Sequence, residues 1–118
     1  MITLEKHSHT ILGGRGFWLT ERLWKAAVGL PVFRVTIAEI PEFDRDCWFD
    51  GRPPNLREVA MHARRIMAAD LAYPIIFSAG GGWLDGGHRI SKAWIEGRTE
   101  IDAVRFEVDP EPDWVVTS

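Results

Sequence analysis

Five of the nine residues from Ala79 to Gly87 are glycine, in two clusters separated only by Trp83-Leu84-Asp85. Glycine adopts positive φ at no steric cost, so Gly80-Gly81-Gly82 is read as a tight turn, and Gly86-Gly87 as a second break. Before the first cluster, Pro74-Ile75-Ile76-Phe77-Ser78 is short, apolar and β-branched, as in a buried strand; Trp83-Leu84 then forms the returning strand. After the second, Ile90, Ala93 and Trp94 recur at helical spacing and Gly97 marks the C-terminal end. The segment therefore reads as a hairpin feeding directly into a helix.

The remainder is built around this segment. Arg15 to Leu19 is read as a strand, with Thr20 capping a helix that ends at Gly29 and carries Leu23, Trp24 and Ala27 on one face. Val32 to Ile37 alternates as a strand, with Phe33, Val35 and Ile37 towards the core. Residues 38–54 form an acidic loop. Asn55 and Glu58 have capping-box spacing before Leu56, Val59, Ala60, Ala63, Ile66 and Met67, which predict a helix to about Asp70. Glu100 to Val108 alternates, with Val104, Phe106 and Val108 on one face. Residues 1 to about 14 are expected to be irregular, and those from Asp109 onward to form an acidic tail packed only through Trp114. Strands and helices interleave without a regular βαβ series, which gives an α+β fold in one domain, residues 1–118.

Composition limits the function classes. With 118 residues, 46% hydrophobic and 26% charged, the chain has the balance of a folded soluble domain. The formal charge is −3 and the 14 basic residues are scattered, so no duplex-DNA binding face is expected. No apolar run approaches the ~20 residues of a membrane span. A single Cys47 and the absence of a signal-peptide pattern point to a cytoplasmic protein. Six tryptophans in so short a chain suit a homodimer or a protein partner.

The chemistry concentrates at Asp85-Gly86-Gly87-His88-Arg89. The first N–H groups of a helix have no internal partners and carry the positive end of its dipole, so an anion is favoured there. Gly86 and Gly87 admit a ligand close to the backbone, Arg89 offers paired contacts to phosphate oxygens, and His88 and Lys92 add donors. Asp85 and His88 are the candidate catalytic pair. A plain turn with Asp85 as helix cap fits the same residues. Glu39, Glu42, Asp44 and Asp46 include candidates for a general base or a Mg²⁺ contact, each also readable as a solvated loop residue. No metal-ligating set is identified; His7 and His9 lack further ligands at useful spacing. Cys47 has no adjacent base and reads as a buried, inert thiol. His62, amid Arg64 and Arg65, reads as a surface or boundary residue.

The strand Pro74 to Ser78, the segment Leu84 to Arg89 and the helix from Ile90 to Arg98 resemble the central strand, hairpin and motif helix of the ParB/sulfiredoxin superfamily, over about residues 32–106. There the equivalent motif is Gly-Glu-Arg-Arg in ParB, Gly-Gly-Cys-His-Arg in sulfiredoxin and Asp-Gly-His-His-Arg in free-serine kinases. The chain as a whole more closely resembles short bacterial ParB-like proteins of unassigned function, with a similar Gly97-Arg98-Thr99 and following strand. The resemblance implies a small mixed sheet with packed helices, and a nucleotide with its phosphates on the helix start. ATP, ADP and CTP are not distinguished by phosphate contacts. It implies phosphoryl transfer or nucleotide hydrolysis, with Mg²⁺, as the chemistry. The alternative is a non-catalytic nucleotide-responsive module acting on a protein partner, and a nuclease is the third reading. Gly87 stands where sulfiredoxin has its cysteine, so sulfiredoxin activity is not expected. The chain ends soon after Phe106, so chromosome partition by this chain alone is not expected either.

Overall fold

The computed structural model describes residues 6–11 and 14–117, with side chains from 16 to 116. In chain order the elements are β1 (Lys6–Ile11), β2 (Gly14–Leu19), α1 (Thr20–Ala27) and β3 (Phe33–Thr36), then 3-10 turns at Ile37–Glu39 and Pro41–Asp44. There follow α2 (Leu56–Ala68), β4 (Ile75–Phe77), β5 (Trp83–Asp85), α3 (Gly87–Ile95), β6 (Glu100–Arg105) and β7 (Trp114–Thr117). This is an α+β arrangement. The chain divides into two units, one of residues 1–31, 76–85 and 104–118, the other of residues 32–75 and 86–103.

In the first unit β2 is the central strand of an antiparallel sheet between β1 and β7. Lys6 to Ile11 is thus a strand, where an irregular lead-in was expected. Its register runs from Lys6 opposite Leu19 to Ile11 opposite Gly14, so main-chain pairing with β2 sets this strand without an apolar alternation to announce it. The side chains of His7 and His9 lie outside the described ones. The C-terminal segment is a correction too. Besides the Phe17–Trp114 ring stack at 5.3 Å, β7 pairs with β2, Pro110 O accepts from the Trp18 indole at 2.8 Å, and Asp113 binds the Leu19 N–H at 2.8 Å. Gly16 allows this closure, since a Cβ there would lie 3.0 Å from the Pro112 ring.

Asp113 also accounts for the start of α1. The Leu19 N–H goes to its carboxylate and β2 runs straight into the helix, so Thr20 is the first helical residue and not the cap. At the other end Gly29 takes φ +87°, the expected left-handed exit. The core of this unit is Trp18, Leu23, Ile76, Leu84, Val104 and Phe106, with Ala27 and Leu30 against it. Full burial of each large side chain contributes about 1.5–3 kcal/mol relative to exposure. Trp24 and Val108, expected to share faces with Leu23 and with Val104 and Phe106, are 50% and 82% exposed, whereas those three are buried. The expected β4–β5 hairpin is present, closed by Ser78 N–H to Gly82 O at 2.7 Å with Gly81 at φ +92°.

In the second unit β3 pairs antiparallel with residues 100–103 of β6, from Phe33 opposite Ala103 to Thr36 opposite Glu100. Only Ile37 of its expected inward face is fully buried; Val35 is half-buried and Phe33 exposed. Ile40, Ile75, Ile90, Ala93, Ile101 and Ala103 are the other buried apolar residues. α2 opens with the expected capping box, Asn55 accepting from Glu58 N–H at 2.9 Å and Glu58 reaching back to Asn55 N–H. It nevertheless buries none of its residues fully. α3 turns Arg89, Ile90 and Ala93 inward and ends at Gly97, φ +83°. Trp94, placed on one face with Ile90 and Ala93 from its spacing, is 62% exposed and leans on Phe43 at 6.2 Å.

Candidate functional site

The start of α3 depends on Gly86. Its φ is +124°, and a Cβ built there would lie 2.4 Å from Ile75 Cγ2, so neither the backbone angle nor the space admits another residue. Gly86 is the N-cap and supplies no capping side chain, and the first turn of α3 holds no acidic residue. The first intrahelical bond runs from Ile90 N–H to Gly86 O at 2.8 Å. Gly87, His88 and Arg89 therefore precede it at the positive end of the helix dipole, where nothing acidic in the helix offsets that end.

Asp85 lies in the other unit, where it is 4% exposed and accepts a 2.6 Å hydrogen bond from the Trp24 indole. An indole N–H as partner fixes the carboxylate in a buried setting.

Arg89 departs furthest from expectation. It was expected to project into an anion-sized space from an exposed first turn. Instead it is 9% exposed, and its guanidinium donates to Tyr73 O at 3.2 Å and Pro74 O at 2.6 Å. The cause is helical phase: Arg89, Ile90 and Ala93 share the face of α3 that turns inward, and the chain entering β4 presents carbonyls that need donors. Lys92 behaves alike. Its ammonium donates to Met67 O at 3.0 Å and Ala69 O at 2.7 Å, satisfying carbonyls at the C-terminus of α2.

His88 instead belongs to an aromatic cluster. His62 Nδ1 on α2 and His88 Nε2 on α3 are 2.9 Å apart, and the Trp48 indole stacks on both rings, at 4.2 Å from His62 and 4.7 Å from His88. Phe49 meets His62 edge-on at 5.2 Å. The loop that delivers Trp48 is organised by Asp46, whose carboxylate accepts from the N–H groups of Trp48, Phe49 and Gly51 at 3.1, 2.8 and 2.6 Å. These bonds hold its pKa below the ordinary carboxylate value. Partial burial, then repulsion from Arg65, pushes His62 below its ordinary value, against the opposing pull of Glu58. His62 is thus a half-buried partner in the cluster, more than the boundary residue its arginine neighbours suggest.

Of the acidic candidates, Asp46 is turned onto the loop backbone. The turn Pro41–Asp44 that carries Glu42 and Asp44 packs beside α3. Cys47 is exposed, where a buried thiol was expected; partial burial of its sulfur and the charges of Asp46 and Glu42 still push its pKa up, which disfavours the reactive thiolate. Among the described residues no three His, Cys, Asp or Glu side chains stand together as metal ligands, and no helix is long and apolar enough to cross a membrane.

Sequence reading missed Trp48 and His62 as neighbours of His88. The usable signal is local: Asp46 followed by Asp50-Gly51 is turn chemistry, and that turn determines where Trp48 points. Comparison with protein-family models, with curated proteins and with solved structures gives no match to this chain.

Proposed function

We propose that the protein is a nucleotide-binding domain of ParB/sulfiredoxin-like fold that receives phosphate at the start of α3, through main-chain N–H groups beside Gly86-Gly87 and through His88. The observation that carries the reading is the beginning of a nine-residue helix at a position that only glycine can occupy, with no acid in its first turn. Arg89 and Lys92 enter as struts that hold the segment in place, not as phosphate ligands. Mg²⁺ would arrive as the complex of the nucleotide, held by its phosphates.

A non-catalytic, nucleotide-responsive module is the second reading. The commitment of Asp46 to three loop N–H groups favours it, because those bonds stabilise its charged form and weaken it as a base, while Asp85 is engaged by the Trp24 indole. Titration calorimetry of the purified protein with ATP, ADP and CTP, with and without Mg²⁺, tests binding, and product analysis of the same mixtures tests turnover. Saturable binding that weakens in His88→Ala, with far-UV circular dichroism unchanged, supports the reading; no heat with any nucleotide overturns it. Turnover would select the enzymatic form.

A further inference from the structure

Leu56, Ala60, Ala63 and Met67 follow one another at intervals of four, three and four residues, which aligns them as a stripe along α2. In an ordinary amphipathic helix that stripe faces the core. Here it does not: Leu56 is 89% exposed, Met67 77%, and Ala60 and Ala63 are exposed between them, with Val59, 49% exposed, on one border. The face of α2 that packs inward is displaced to Glu58, His62 and Ile66, all half-buried. The two alanines leave a recess between two large side chains, the relief that accepts a ridge from a second helix at close approach.

Charge indicates what kind of helix. Arg57 and Arg64 each follow a stripe residue by one position, so they lie seven residues apart on the same border; both are exposed, with no ion pair among the described residues. Glu58 is occupied by Arg52. We infer that this face of α2 docks an amphipathic helix of a partner protein, whose apolar side chains fill the Ala60–Ala63 recess and whose acidic residues meet Arg57 and Arg64. A second copy fits less well. Two-fold antiparallel pairing through the stripe puts both arginine borders on the same side, and parallel pairing sets them against Val59, His62 and Ile66. A lipid surface fits less well too, because the stripe lacks the aromatic anchors of interfacial helices and is recessed at its centre.

The inference is independent of phosphate binding, and its test contains no nucleotide. The probe is a synthetic helical peptide with a leucine stripe flanked by glutamates, titrated into the full chain by fluorescence anisotropy beside a lysine-flanked twin. The expected result is saturable binding of the glutamate peptide only. Ala60→Gln with Ala63→Gln weakens it about tenfold or more by filling the recess. Arg57→Glu with Arg64→Glu reverses the preference to the lysine peptide, and both variants keep the circular dichroism of the parent. Absence of saturable binding, or equal binding of the two peptides, overturns the inference. So does binding to phosphatidylcholine–phosphatidylserine vesicles without peptide binding, or self-association in ultracentrifugation that the Ala60→Gln, Ala63→Gln variant abolishes.

Discussion

His62 Nδ1 and His88 Nε2 are 2.9 Å apart, joining α2 to α3 through a pair of imidazoles under the Trp48 indole. Such a bond needs one nitrogen with its proton and one without, so protonation of both rings replaces it with two opposed N–H groups.

The pair predicts a pH dependence. The pKa of His62 is lowered in the folded chain from its ordinary 6.5, chiefly by partial burial and then by Arg65. The unfolded chain therefore binds more protons in the window below pH 6.5, and stability rises with pH there. The contribution is fully present above that value and is lost as pH falls through the folded pKa. Thermal unfolding from pH 7.5 down to 5 is expected to show a falling midpoint that is flatter in His62→Gln. Parallel curves for the two proteins would show that His62 is not the linked group.

Asp46 is expected to control the cluster from outside it. Asp46→Ala removes the acceptor shared by the Trp48, Phe49 and Gly51 N–H groups, and Trp48 should leave its stack. The measurement is the ring-current shift of the His62 and His88 carbon-bound protons, which should relax towards free-histidine values while the α3 amide signals stay in place. Unchanged shifts would mean that the loop holds its form without the carboxylate.

Arg89→Ala is expected to destabilise the fold. The substitution deletes a charged donor and leaves the Tyr73 and Pro74 carbonyls without it, at a cost of about 1.5–3 kcal/mol. Urea denaturation should show a lower midpoint with little change in slope. An unaltered midpoint would return Arg89 to the solvent-facing role expected from its sequence position.

Where local chemistry decided the structure, the sequence could be read. The Asn55–Glu58 capping box, the glycine turn before β5 and the positive-φ exits at Gly29 and Gly97 are each written in a few adjacent residues. Non-local partners were less visible. β1 has no apolar alternation and forms by pairing with β2, and the acidic tail becomes β7 because β2 offers it an edge. The site illustrates the limit. Gly86-Gly87 located the helix start correctly, but the phase of α3, which turns Arg89 inward and brings His88 to His62, depends on packing among residues far apart in the chain. Spacing likewise predicted the α2 helix but not the exposure of its stripe, since the periodicity of a helix shows which residues share a face and not what that face meets.

The most severe single substitution near the site is expected at Gly86. Alanine there meets two separate penalties. A non-glycine residue at φ +124° costs about 1–3 kcal/mol in backbone strain. Its Cβ also falls 2.4 Å from Ile75 Cγ2 and 3.2 Å from Ile75 Cα, and because Ile75 is fully buried and part of that contact is backbone, a side-chain rotation cannot relieve it. Gly87→Ala avoids the backbone penalty: position 87 is the first residue of α3, with no positive φ, where alanine is a favourable helix former. The pair therefore separates the two glycines of the motif. Gly86→Ala should lower the urea midpoint markedly or prevent folding, whereas Gly87→Ala should fold with a midpoint close to wild type. Similar midpoints for both variants would show that the Gly86 backbone can relax away from Ile75.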